Sequence, residues 1–314
     1  MAGPLPTDWF LPPLVAPAGV HRGGPARDNY WAGVWSRFRG NRPAVLGLLL
    51  LGLIVLGTLV GPHLTPYHYD ALALLQANRP PGPEHWFGTD QLGRDTFART
   101  WMGGRVSLLI GLAAAAIDLC IGAVYGGVAG LAGGWVDEVL MRLVDALYAI
   151  PFLLVVILLL VLLGSGLRSL IIAIALVNWL GMARLVRGQV LEIREREYVL
   201  AARVLGVPAP AILWRHLLPA CLGPILVWIS YNVPAAIFAE AFLSYLGLGV
   251  QPPRPSWGSM VSAASDLVRL HPWPFLFPAV AITLTLLAFY VVSDGLRDAL
   301  DPRLGAGHGP AGRG

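Results

Sequence analysis

The chain has no lysine. All 22 basic residues among its 314 are arginines, and that absence excludes two chemistries. A phosphate-cradling G-x-x-x-x-G-K-[ST] loop needs a lysine ammonium at the β/γ-phosphates, and a Schiff-base enzyme needs a nucleophilic amine. Charge of either sign is scarce too: 13% of residues are charged and 56% hydrophobic, with a mean hydropathy of +0.66. A water-soluble domain carries about 25% charged and about 45–50% apolar residues, so the composition is that of an integral membrane protein. Two cysteines, Cys120 and Cys221, lie in apolar stretches without metal or disulfide spacing and read as packing residues. The seven histidines are scattered, with His63 and His68 read as solvated loop residues, and no metal site is expected. A net charge of +4 raises nucleic acid as a partner, but in a bilayer protein arginines act as orientation signals instead.

A bilayer core about 30 Å thick needs about 20 apolar helical residues. Charge-poor intervals of that length predict six spans: Ala44–Gly61, Val106–Leu131 with Asp118 inside it, Val139–Leu163, Ser169–Val186, His216–Ala239 and Pro274–Val292. The fourth is short, and Arg184 and Arg187 at its end are expected to snorkel toward water. The layout is then a tail over 1–43, the first helix over 44–61, an outer loop over 62–105, a core over 106–296 and a second tail over 297–314. The first apolar run starts beyond residue 40, behind Arg22, Arg27, Arg37, Arg39 and Arg42, as in an uncleaved anchor rather than a signal peptide. Six spans divide the arginines 15 to 7 in favour of the side that holds both termini, which the positive-inside rule makes the cytoplasm. Residues before about Asp28, and those after Arg303, read as disordered tails. Asn29–Gly40 mixes Trp31, Trp35 and Phe38 with Arg37 and Arg39, as an aromatic belt or a surface-lying helix does.

The informative segment is RLVRGQVLEIREREYVLAARVLGVPAPAILWRHLLP, Arg184–Pro219. Glu192 with Arg196 and Arg194 with Glu197 have the spacing of helical ion pairs, predicting a helix over Glu192–Leu205. Gly206, Pro208 and Pro210 stop it, and a second short helix runs from Ala209 or Pro210 to Leu218, ending at Pro219. The segment 192–219 is therefore a cytoplasmic helix–turn–helix elbow, with small Ala201 and Ala202 where a partner groove can close on it.

EYVLAARVLG, with RHLLP beginning nine residues after its glycine, resembles the coupling-helix signature of the membrane subunits of binding-protein-dependent ABC importers. FGTDQLGRD, MARLVRGQ, FLSYLGLG, PSWG and DGLRDALDP narrow the resemblance to the C-type permease of the oligopeptide and dipeptide (peptide/nickel) branch. The first forty residues carry no motif of that kind and read as particular to this chain. In the wider superfamily the signature glutamate stands six residues before the glycine, where this chain has Leu200; Glu197 stands one turn earlier.

The resemblance implies an all-α, type I importer permease fold with no catalytic residue of its own. ATP and Mg²⁺ would be held by two P-loop ATPase subunits, coupled through Glu197, Ala201, Ala202, Arg203, Gly206, Arg215, His216 and Pro219. It also implies a second, related permease, an extracytoplasmic binding protein and a place in the cytoplasmic (inner) membrane. Asp90, Arg94 and Asp95 are candidate contacts for the binding protein. They are equally a helix-start device, with Asp90 as N-cap and Arg94 paired to Asp95. Asp118 and Glu240 either line a polar path or pair with a neighbouring helix. Glycines 122, 126, 127, 130, 133 and 134 allow close helix approach, within the chain or between subunits. The alternative function is an ion-coupled secondary transporter that relays protons through Asp118 and Glu240. An aspartyl hydrolase using Asp118 and Asp145 is disfavoured by their different expected depths.

Overall fold

Asn41 opens the first long helix by accepting a hydrogen bond from Ala44 N at 3.2 Å, with Pro43 in the first turn. The computed structural model describes residues 27–301, and the disorder expected before about Asp28 and after Arg303 falls almost wholly outside them. The helices are α1 (Arg27–Gly40), α2 (Arg42–Val60), α3 (Thr96–Ala132), α4 (Gly134–Tyr148), α5 (Phe152–Leu163), α6 (Leu167–Ile193) and α7 (Glu197–Val204). After these come α8 (Ala209–Ile212), a π-helical turn (Leu213–Leu217), α9 (Leu218–Ala220), α10 (Leu222–Tyr245), α11 (Trp257–Ala264) and α12 (Trp273–Leu300). No β-strand occurs among the described residues; one isolated bridge joins Thr89 to Asp95.

Five helices, α2, α3, α6, α10 and α12, are each long and apolar enough to cross a bilayer. The sixth expected span is broken: α4 and α5 meet at an angle of 84°. Pro151 causes the break, since it has no N–H to donate and disfavours helical backbone at the residue before it. At about 1.5 Å per residue, α5 alone reaches about 18 Å, too short to cross.

The other spans are longer or shifted because their charges are satisfied inside the chain. α3 starts at Thr96 rather than Val106, and Arg105 within it donates to the last carbonyls of α2, from Nε to Thr58 O at 2.5 Å and from Nη2 to Leu59 O at 2.6 Å. α6 runs on to Ile193 because its arginines do not have to snorkel. Arg187 grips Asp137 at 2.6 and 2.7 Å, and Arg184 reaches Asp145 at 2.7 Å, both on α4. α10 occupies Leu222–Tyr245 instead of His216–Ala239, carrying Glu240 in its interior.

The centre of the bundle is the α3–α6 pair. Gly122, Gly126 and Gly130 recur every fourth residue and so form one stripe on α3. Against it lie Trp179, Met182, Ala183, Arg187 and Val190 of α6, so close that a Cβ on Gly126 would fall 2.2 Å from Ala183 O. These three glycines serve packing within the chain. α1 lies along the end of α12: Phe38 and Val34 are buried with Ala299 and Leu300, and Arg37 Nε donates to Ala299 O at 2.8 Å.

Candidate functional site

The elbow is built outward from the end of α6. Arg194 closes that helix, and its Nη1 donates to Gly130 O of α3 at 2.8 Å, which anchors the turn. Arg194 therefore does not pair with Glu197; its other contact is Glu195, at 3.0 Å. The expected helix over Glu192–Leu205 is consequently two pieces, with Glu192 in the last turn of α6, 3.6 Å from Arg196, and α7 beginning at Glu197. Glu197 in the first turn and Arg203 in the last both suit the helix dipole. Gly206 ends α7 with φ of +75°. Its N–H reaches Arg203 O and that of Val207 reaches Ala202 O, both at 3.0 Å, which is a Schellman closure.

Pro208 and Pro210 then start α8. Pro219 does not terminate the second piece as the sequence suggests. It sits in the first turn of α9, and the π-turn over Leu213–Leu217 makes room for its ring and missing N–H.

The two faces of this elbow differ. Val199 and Ala202 are buried in one apolar cluster with Val190, Ile193, Ile212, Leu213 and Leu217, which packs α7 with the end of α6, α8 and the π-turn. Ala202 thus packs against its own chain and offers no outward groove, whereas Ala201 is exposed. Outward stand Leu200, Trp214, Val204 at 87% exposure and Leu205 at 82%, with Glu197, Arg203 and Arg215 exposed around them. His216 is half-buried, 6.5 Å between ring centroids from Tyr198. Exposed apolar side chains with charges around them, on a helix whose other face is packed into the chain's own core, have the form of a surface that another protein covers.

The membrane-embedded acids sit in two networks with no member in common. Asp118 on α3 is buried; its Oδ2 accepts from Trp228 Nε1 at 3.3 Å and from Asn232 Nδ2, and Asn232 Oδ1 accepts from Asn178 Nδ2 at 3.4 Å. Glu240 on α10 is fully enclosed by three hydroxyls, those of Ser107 at 3.0 Å, Ser244 at 2.7 Å and Ser256 at 2.6 Å. Ser107 also accepts from Trp257 N at 3.2 Å, so one carboxylate ties α3, α10 and α11 together. None of these serines or asparagines could be picked out from sequence, because uncharged polar residues do not interrupt an apolar run. Glu240→Leu should leave three buried hydroxyls without the acceptor they donate to, at about 1–3 kcal/mol each, and the melting temperature of the purified chain should drop sharply, whereas Glu240→Gln keeps a carbonyl acceptor for Ser244 and Ser256, turns the other oxygen into an N–H donor toward Ser107 Oγ, and should lose much less. Equal melting of the two variants would refute the tie.

On the opposite side, Asp95 rather than Asp90 caps α3, with Oδ1 accepting from Ala98 N at 2.7 Å. Its Oδ2 lies 2.8 Å from Nδ1 of buried His85, whose Nε2 is 2.9 Å from Gln76 Oε1. Asp90 instead closes the preceding turn through Leu92 N and Arg94 N, and its Oδ2 takes Arg94 Nε at 2.7 Å. The expected Arg94–Asp95 pair is thus an Arg94–Asp90 pair. Gln91 Nε2 donates to Ala263 O at 2.9 Å and Trp273 Nε1 to Thr89 O at 3.1 Å, so the outer loop is fastened to α11 and α12.

Comparison with known proteins gives the chain's family. Residues 122–306 match the family model of the binding-protein-dependent transport system inner membrane component, and residues 29–81 match the N-terminal TM domain of oligopeptide transport permease C. The second match begins within α1, so the segment from residue 29 is a shared feature and is not particular to this chain. The oligopeptide transport system permease protein OppC of Bacillus subtilis is 46% identical over 300 residues, covering 96% of this chain and 98% of that protein. The dipeptide transport system permease protein DppC of the same organism is 49% identical over 277 residues, 88% of this chain and 87% of the relative. OppC of Escherichia coli is 43% identical over 277 residues, 88% and 92% of the two chains. Among solved structures, an inward-facing form of the MetNI methionine ABC transporter superposes with a TM-score of 0.50 at 15% identity, over 64% of this chain and 97% of that one. The likeness to MetNI concerns the fold alone, while the sequence matches concern descent: the chain belongs to the inner membrane components of binding-protein-dependent transport systems.

Proposed function

We propose that the chain is one of two permease subunits through which an ATP-driven importer moves oligopeptides or dipeptides into the cytoplasm. The names of its relatives support the cargo. The absence of lysine supports the division of labour, since a P-loop must be housed in other subunits. The observation that carries the coupling role is the exposed apolar face of Leu200, Val204 and Leu205 on α7 and its end, on an elbow whose inner face is packed into one apolar cluster with α6. Two P-loop ATPases hold ATP and Mg²⁺ and grip one such exposed face each. When they close, the elbow moves as a body, and the spans shift between two packings by hinge or shear motion. ATP drives that swing only through its different affinity for the two states, about 5.5 kcal/mol for a change from 1:99 to 99:1. Both termini and the elbow face the cytoplasm, and the outer loop receives the binding protein.

Two measurements test this reading. With the two native cysteines replaced, Val204→Cys should react with a membrane-impermeant maleimide from the cytoplasmic side only. Proteoliposomes holding the whole complex should accumulate peptide when given ATP and stop when it is removed with the proton gradient intact. Uptake that follows the gradient instead would favour the relay through Asp118 and Glu240 and overturn the proposal.

A further inference from the structure

At the outer end of the chain, between the 78–99 loop and α11, lies a cavity of about 220 Å³. Asp90, Arg94, Thr96 and Arg99 line it on one side and His271 on another. A second cavity of about 210 Å³ shares Arg94 and Arg99 and adds Arg254 from the loop after α10. Three guanidinium groups therefore line two adjoining cavities, together the crevice, with Arg94 and Arg99 common to both, and the one carboxylate in their linings is Asp90.

That carboxylate is already committed. Its Oδ2 takes Arg94 Nε at 2.7 Å with Arg99 Nε 3.5 Å away, and its Oδ1 takes two backbone amides. Arg99 is itself buried, held by Tyr69 O at 3.0 Å. Asp70 stands nearby on the same loop but is paired with His68. The crevice thus keeps a surplus of positive charge, half shielded from water, where an anion would be favoured.

A second observation points to what is received there. Three side-chain atoms from residues lining the first cavity are shielded from solvent and have no hydrogen-bond partner: Thr96 Oγ1, His271 Nδ1 and Asn78 Oδ1. Thr96 is wholly buried. Buried polar atoms are rarely left unpaired without a reason. A threonine hydroxyl and an imidazole N–H can donate to a carboxylate alongside the arginines, while Asn78 Oδ1 needs an N–H. A carboxylate with an amide N–H close by supplies both.

We propose that this crevice is a binding site for a peptide carboxylate. The proposal rests on the importer reading above, which supplies two sources for the group. One is an acidic side chain on the docking surface of the binding protein; the other is the free C-terminus of the cargo peptide.

The test uses the assembled transporter in nanodiscs and proteoliposomes, with labelled binding protein and with trialanine and its C-terminal amide as probes. Arg254 lies at the exposed rim, so Arg254→Glu reverses a charge without touching the core. Loss of one charge-assisted contact predicts an effect of about tenfold. If binding-protein affinity falls by that factor and its salt dependence flattens, the carboxylate belongs to the binding protein. If affinity holds but the preference for trialanine over its amide disappears, it belongs to the cargo. Thr96→Val, which removes a hydroxyl without a partner in this chain, should shift the same readout by a smaller factor and leave the amount of protein unchanged. Docking and acid-over-amide preference both unaltered in the two variants overturn the site. A wild-type complex that docks its binding protein yet moves no peptide overturns the proposed function instead, and docking still reports on the crevice.

Discussion

Leu205→Asp, and equally Val204→Asp, should abolish ATP-driven uptake while the chain accumulates in the membrane at its normal level. Both side chains are more than four-fifths exposed, at 82% and 87%, so neither change removes packing from the chain itself. Surface substitutions of that kind typically cost within about 0.5 kcal/mol of stability. Inside the ATPase cleft proposed above the balance reverses. A carboxylate there has lost its water and gained no partner, at a cost of about 3–5 kcal/mol, enough to weaken docking by at least about 100-fold. Co-purification of the ATPases and uptake in proteoliposomes should be lost together. Arg196→Gln, an exposed change at the near end of the same elbow, should leave both intact. Normal co-purification with Leu205→Asp would mean that this apolar face is not the gripped surface. Ala202→Trp is a weaker probe, because Ala202 faces the chain's own core and a larger side chain there would unseat α7 whether or not any partner exists.

Ala202 also marks the limit of what the sequence reveals. The pattern of Gly206, Pro208 and Pro210 suffices to predict two helices with a turn between them, because glycine at positive φ and proline at a helix start act locally. Which alanine of the pair faces outward depends on where α7 begins. That register is set by Arg194 reaching Gly130, 64 positions away in sequence, which no local signal encodes. The spans follow the same division. Their existence is legible from apolar length, but their ends lie away from where that length sets them wherever a charge finds a partner within the fold. Arg105 crowning α2, Arg187 on Asp137 and Glu240 among three serines are each invisible to a rule that stops a span at a charge. The break at Pro151 is the opposite case, since a proline between two apolar runs is a local signal that apolar length alone passes over. In the outer loop the residue types mark a helix start, but which acid caps α3 turns on His85 lying behind Asp95.

The stripe of glycines on α3 gives the second large effect. Gly126→Val should lower the melting temperature of the purified chain and reduce its amount in the membrane. A Cβ at this position would meet Ala183 O at 2.2 Å, and that oxygen belongs to the backbone of α6, so no side-chain rotation can relieve the contact. The helices must separate. Replacing glycine within a helix is favourable by up to about 1 kcal/mol for alanine and less for a β-branched residue, whereas forced overpacking costs about 1–3 kcal/mol or more. The second effect wins by about 0.5–2.5 kcal/mol, and at roughly 2–4 °C per kcal/mol the expected fall is about 1–10 °C. The same displacement pulls Arg194 from Gly130, so the elbow loses its anchorage to α3 as well. ATPase stimulation by binding protein should therefore fall in the fraction of Gly126→Val that still folds. Gly52→Ala separates this from a general effect of filling glycines: nothing lies within 4 Å of a Cβ there, and it should melt at or slightly above the wild-type temperature. If the two variants melt alike, α3 and α6 are not held at backbone contact.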